Sequence, residues 1–181
     1  MSVSTRTHST SRPRVRGALD APLSRLVRLH RNSLTNALIL GGTSAERAEW
    51  AHAFHRESPL RLGTLVSLDC ATDEPRLKTA LRDWTAGVET ADPRMLAAQH
   101  GTLFLDSIDL LSNESQRLLL EIAAAPPAER GRSHIPSIGR LICGSTARLV
   151  RACAEGRFLL ELYDALDKIR VDLDRPVEGA A

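Results

Sequence analysis

Hydrophobic positions along this chain fall into two periods that alternate. Short apolar runs occur at Ala37-Leu38-Ile39-Leu40, Leu62 to Leu68, Thr102-Leu103-Phe104-Leu105, Arg140 to Ser145 and Lys168 to Leu173. Most of these runs lack polar alternation, which predicts strands buried on both faces of a parallel sheet. Between them the spacing changes to three and four. Leu19, Leu23, Leu26, Val27 and His30 share one face, with Arg25, Arg28 and Arg31 on the other. Asp20 is the expected cap and Pro22 a tolerated early residue. Further helices are predicted from Ala45 to Glu57, stopped by Pro59, and from Thr72-Asp73-Glu74-Pro75 through Leu77, Ala80, Leu81 and Trp84. Ser112-Asn113-Glu114-Ser115 supplies cap-type residues for another carrying Leu118, Leu119 and Ile122, and two more span 147–154 and 158–166. Residues 85–93 and the proline-rich 125–139 are expected to be irregular. Strands alternating with helices make this an α/β chain with right-handed crossovers and no internal repeat.

With 181 residues the chain is one domain of ordinary size. It is 43% hydrophobic and 25% charged but only 3% aromatic, so Leu, Ile, Val and Ala must supply the core. No apolar run approaches the roughly 20 residues of a membrane span, and no secretory leader is evident, so a cytoplasmic protein is expected. The net charge of +2 conceals an asymmetry. Residues 1–31 carry seven arginines against Asp20, whereas the rest holds 17 basic and 21 acidic residues. Residues 1–18 are expected to be a disordered basic arm able to make weak nucleic-acid contact, 19–175 a core domain and 176–181 a tail.

Candidate chemistry gathers at strand ends. Asp106 follows one buried run, at the sheet edge where open α/β folds bind ligands. Gly41-Gly42-Thr43-Ser44 follows another and leads into a helix, the setting of a phosphate-binding loop. In the frame G-x-x-x-x-G-K-[ST], Gly41 keeps the first glycine. Glu46 replaces the second, Arg47 the lysine and Ala48 the hydroxyl residue that would bind magnesium. A carboxylate 4 Å from a phosphate charge at an effective dielectric of 20 costs about 4 kcal/mol. A guanidinium is not interchangeable with an ammonium there. Tight ATP binding is not expected.

Other groups carry less. Cys70, Cys143 and Cys153 form no CxxC pair and read as small hydrophobes. His52 and His55 lie three apart on a helix without further ligands. Ser44, Ser107 and Ser145 lie at strand ends near Asp106, but His100 is at the wrong end of its strand for a triad. Trp50 and Trp84 read as packing residues.

Residues 37–59, 101–120 and 140–173 resemble the AAA+ core of sigma-54-dependent transcriptional activators. The likeness is carried by Ala51 to Pro59 after the loop, Gly101-Thr102-Leu103-Phe104-Leu105-Asp106 at the Walker B position, Gln116 to Leu120, Glu155-Gly156-Arg157-Phe158 and Glu161-Leu162-Tyr163. The resemblance implies a P-loop NTPase, AAA+-like three-layer sandwich with a five-stranded parallel sheet in the order 5-1-4-3-2, without the helical lid. It also shows what is changed. Ser107 stands where working members have Glu, and Leu159 and Ala165 stand at the two arginine-finger positions. RDWTAGVETADP, between Leu81 and Arg94, lacks the GAFTGA motif that grips sigma-54. The expectation is a pseudo-ATPase with a vestigial nucleotide site of Gly41, Gly42, Thr43, Ser44, Arg47 and Asp106, without catalytic residues, bound metal or required cofactor. It would act on a protein partner, a sigma-54-dependent activator or another transcription regulator. The alternative is a sensor that holds ATP or a cyclic dinucleotide without hydrolysis, with Arg47 and the arginine-rich first helix as anion contacts.

Overall fold

The computed structural model describes residues 21–125, 138–146 and 149–174, with backbone alone for 21–24. The expected basic arm, the Asp20 cap, most of the proline-rich segment and the tail lie outside these residues. The elements run α1 (Ala21–Leu29), β1 (Ala37–Leu40), α2 (Ser44–Arg56), β2 (Leu65–Asp69), α3 (Cys70–Thr85), α4 (Pro93–Ala98), β3 (Thr102–Asp106), a 3-10 turn (Ile108–Leu110), α5 (Asn113–Ala124), β4 (Arg140–Ser145), α6 (Leu149–Ala154), α7 (Leu160–Leu166) and β5 (Ile169–Asp172).

The strands form one parallel sheet in the order β2-β3-β4-β1-β5, which is 5-1-4-3-2 counted from the other edge. Every residue of β3 and β4 is buried, as their unbroken apolar runs require. The edge strand β2 alternates, with Ser67 outward. Successive residues of a strand serve opposite layers. Leu38 joins the side with Leu77, Trp84, Leu119 and Leu162, while Ala37 and Ile39 join Val27, Trp50, Phe54 and Ile169. Helices α3, α5 and α7 therefore cover one face, and α1 and α2 the other. Trp50 and Trp84 are both packing residues, 4% and 0% exposed.

Three local expectations shift. Strand β2 begins at Leu65, not Leu62, which is 93% exposed. Helix α3 begins at Cys70, because Asp69 accepts the Ala71 N–H at 3.0 Å and caps it ahead of Thr72. A helix that was not expected also follows the loop of 85–93. Asp92 caps α4 through the Arg94 N–H at 2.9 Å, with Pro93 in the first turn.

One buried charge lies far from the carboxyl edge. Arg140, at the amino end of β4, is 0% exposed. Its Nε and Nη1 donate to the Thr35 and Phe54 carbonyls, each at 3.2 Å, and its guanidinium lies 5.1 Å from the Phe54 ring centre. Burial without a carboxylate partner pulls its pKa down to about 10.

Candidate functional site at the carboxyl edge of the sheet

The ends of β1, β3 and β4 converge where parallel α/β sheets bind ligands. After β1 the chain turns through Gly41 at φ 77° and Gly42 at φ 61°, left-handed values that only glycine adopts freely. Thr43 then caps α2 in a reciprocal box. Its Oγ1 accepts the Glu46 N–H at 3.2 Å, and Glu46 Oε2 accepts the Thr43 N–H at 2.8 Å. The same carboxylate oxygen accepts the Thr43 hydroxyl at 2.9 Å.

Arg47, one turn into α2, is 2% exposed. Its Nε donates to Asp106 Oδ1 at 2.5 Å and its Nη2 to Oδ2 at 2.9 Å, a side-on bidentate pair. Its Nη1 donates to the carbonyls of Gly41 at 3.1 Å and Gly42 at 2.9 Å. The Ser44 hydroxyl adds a third bond to Asp106, reaching Oδ2 at 2.6 Å. Burial pushes the Asp106 carboxyl up. The Arg47 and Ser44 hydrogen bonds, the Arg47 charge and the Ser107 N–H outweigh it, so its pKa lies below the ordinary aspartate value.

Two further residues complete the arrangement. Asp174, just past β5, accepts the Gly42 N–H on Oδ1 at 3.0 Å. Its carboxylate lies so close over the turn that a Cβ on Gly41 would come within 2.3 Å of Oδ2. Gly144 on β4 makes room for the ion pair, since a Cβ there would meet Asp106 Oδ1 at 2.5 Å and Arg47 Cδ at 3.1 Å. Neither residue stood out in the sequence. Asp174 is one more acid beyond a strand, and Gly144 follows Cys143 in an apolar run.

All six residues expected at a vestigial nucleotide site are brought together: Gly41, Gly42, Thr43, Ser44, Arg47 and Asp106. The role expected of Arg47 in a sensor is not the one it has. Its guanidinium points to Asp106 and to loop carbonyls, not to an open anion site. Arg31, expected on the arginine-rich first helix, lies in the turn after α1 and lines a groove with Arg56 and Arg61 beyond the far end of α2. The serines do not form a triad. Ser145 donates to Asp109 Oδ1 at 2.5 Å, and His55 lies with Thr102 at the other end of β3. His52 is exposed while His55 is 7% exposed, and no metal-binding cluster occurs among the described residues.

The remaining departures from the expected machinery are also placed. Ser107 adopts a left-handed conformation at φ 56° immediately after Asp106. Leu159 precedes α7, its N–H donating to Gln116 Oε1 at 2.8 Å. Ala165 is 9% exposed, and its carbonyl accepts from Asn36. Between α3 and α4 the chain makes a short turn through Gly87 at φ 71°.

A protein-family model described as the sigma-54 interaction domain matches residues 17–172. The chain belongs to the sigma-54 interaction domain family. Similar proteins include the C4-dicarboxylate transport transcriptional regulatory protein DctD of Pseudomonas aeruginosa, 34% identical over 140 residues, covering 73% of this chain and 30% of that protein. The DNA-binding transcriptional regulator NtrC of Salmonella typhimurium is 30% identical over 154 residues, 81% of this chain and 33% of that protein. This chain thus spans about a third or less of the curated relatives it matches. Among solved structures, NtrX from Brucella abortus in complex with ATP superposes with a TM-score of 0.66 at 22% identity, over 83% of this chain and 36% of that one. The P-loop NTPase domain of the sigma-54 transport activator from E. coli gives 0.55 at 23%, over 77% of this chain and 97% of that one. Both show the P-loop NTPase fold.

Membership implies a magnesium–nucleotide at this edge, and the residues present fit one poorly. Asp106 offers its carboxylate to a guanidinium on both oxygens. Ala48 brings no hydroxyl to a metal. The Gly42 and Thr43 N–H groups, which a triphosphate would need, are donated to Asp174 and Glu46. The loop meanwhile presents two carbonyls to a cation. That polarity is the reverse of an anion cradle.

Proposed function

We propose that this sigma-54 interaction domain is a pseudo-ATPase: a scaffold that keeps the nucleotide-binding fold and uses its own side chains where the nucleotide and metal would sit. It works in transcription regulation through protein contact, with a sigma-54-dependent activator or another transcription regulator as partner. One observation supports this above the rest. The buried Arg47–Asp106 pair joins the phosphate loop to β3, as a lysine, phosphate and magnesium would in a loaded site. Glu46 and Asp174 supply the anions at the loop N–H groups. The sheet edge is closed electrostatically without a ligand, so the fold needs none to be ordered.

The test is calorimetry and thermal shift on the full chain with ATP–magnesium, a non-hydrolysable analogue and a cyclic dinucleotide, together with a phosphate-release assay. A site of this kind gives no melting shift at millimolar ligand and no turnover above background. A ligand at a hundred times its Kd stabilises a folded protein by about 2.7 kcal/mol, so binding would be plain in the melting curve. A saturable shift would reinstate the nucleotide sensor. Turnover abolished by Asp106→Asn in a variant that still melts cooperatively would make the chain an ATPase.

A further inference from the structure

At the amino edge of the sheet, opposite the phosphate loop, lies an open groove of about 330 Å³. Arg31 and Asn32 line it from the turn after α1, and Arg56, Glu57, Ser58 and Arg61 from the turn after α2. Three guanidiniums face one carboxylate. The described surface elsewhere pairs many of its arginines: Arg76, Arg82, Arg151, Arg157 and Arg170 each meet an acid. Arg31, Arg56 and Arg61 take part in none of these pairs, and Glu57 neutralises none of them. All three are exposed. Unpaired like charges repel one another in the free protein, and that cost is recovered only when an anion arrives.

The shape decides which anion. The groove is open and its arginines come from two separate turns, so no pocket encloses a single phosphate. Ser58 spends its hydroxyl within the turn, donating to the His55 carbonyl at 2.8 Å and accepting the Leu60 N–H at 3.1 Å. Arginines so placed suit a polymer carrying phosphate at short regular intervals, which guanidinium forks grip in bidentate fashion. We infer that this groove is a contact site for the phosphodiester backbone of nucleic acid, made without reading bases. It stands whether or not the carboxyl edge holds a nucleotide.

The test is fluorescence anisotropy on the full chain with two 20-base-pair duplexes of unrelated sequence, each titrated at several salt concentrations. Both duplexes should bind alike, with the logarithm of affinity falling linearly with the logarithm of salt. In the triple variant Arg31→Ala, Arg56→Ala, Arg61→Ala the slope should become shallower by about 2.7, from roughly 0.9 for each phosphate no longer neutralised. The matching lysine variant should keep most of it. Replacing Arg6, Arg12, Arg14 and Arg16 by serine should leave that difference in place. Three outcomes overturn the inference: no binding at 50 mM salt, a triple variant that binds as the parent does, or displacement of the duplex by poly-glutamate at equal charge concentration.

Discussion

Arg47 and Asp106 meet side-on across 59 residues of sequence, Nε to Oδ1 at 2.5 Å and Nη2 to Oδ2 at 2.9 Å, both withdrawn from water. Breaking a buried pair leaves the survivor uncompensated and costs about 3–5 kcal/mol, whereas replacing both members by apolar groups is often neutral or better. Asp106→Ala should therefore destabilise the fold by about that much in urea titration. Arg47→Met with Asp106→Leu should cost clearly less than the two single changes summed. An Asp106→Ala protein as stable as the parent would show that the pair contributes little.

The same geometry predicts that one reversion will not rebuild a nucleotide site. Arg47→Lys shortens the cation, but Glu46 and Asp174 still hold the Thr43 and Gly42 N–H groups. Combining Glu46→Gly, Arg47→Lys, Ala48→Thr and Asp174→Ala removes both carboxylates and restores the glycine, ammonium and hydroxyl. Only the combination should acquire an ATP–magnesium-dependent rise in melting temperature. A rise in Arg47→Lys alone would place the obstruction in the guanidinium and not in the acids.

Much of this was legible in the sequence because it depends on local pattern. Unbroken runs such as Leu103-Phe104-Leu105 specified interior strands, and the resemblance supplied their order. The positions around Gly41 and Asp106 were legible too, since loop and strand end are tied to the ends of periodic segments. What Arg47 does there was not. Whether a guanidinium faces an anion pocket or folds onto Asp106 depends on space left by Gly144, 97 residues away in the chain, and periodicity does not report it. Asp174 escaped notice for the same reason, since its acceptor role exists only because β5 pairs beside β1. One signal was available. An arginine at the lysine position, with the partner aspartate retained, is a charge-balanced combination that a merely decaying site need not keep. Helix α4 was not foreseen, although Asp92-Pro93, a cap followed by a tolerated first-turn proline, was there to be read.

The thiols give an independent check on packing. Burial raises the pKa of Cys70, helped by Asp69 and Asp106, and burial together with Cys70 raises that of Cys143. Both are buried in the layer against α3 and α5. Cys153 is only half-buried, with its pKa raised by burial first and then by Asp164. In native buffer at pH 8, iodoacetamide should modify Cys153 slowly and leave Cys70 and Cys143 untouched, as peptide mass mapping would report. In denaturant all three should react. Native labelling of Cys143 would mean that β4 is not the interior strand described.

Stability should fall with acid in two separate windows. His55 is 7% exposed, with Nδ1 3.0 Å from Thr102 Oγ1. Burial lowers its pKa from the ordinary 6.5. A Gly63 backbone hydrogen bond opposes this, and the charges of His52 and Arg140 reinforce it. The folded protein therefore prefers neutral His55, and below pH 6.5 the unfolded chain binds a proton that the folded one resists. Stability rises with pH wherever the unfolded state holds more protons, so His55 costs stability as pH falls from 6.5 toward its folded pKa. Asp106 acts later. Its pKa is depressed in the fold, so its contribution is full above the unfolded aspartate value of about 3.9 and is lost as pH drops through the folded one. Urea titrations between pH 8 and pH 3 should show an initial decline beginning near pH 6.5 and a steeper one below about pH 4. His55→Gln keeps a neutral hydrogen-bonding side chain opposite Thr102 and should flatten the first decline while leaving the second. If the first decline persists unchanged in that variant, its origin is another group and the buried histidine is not the sensor of mild acid.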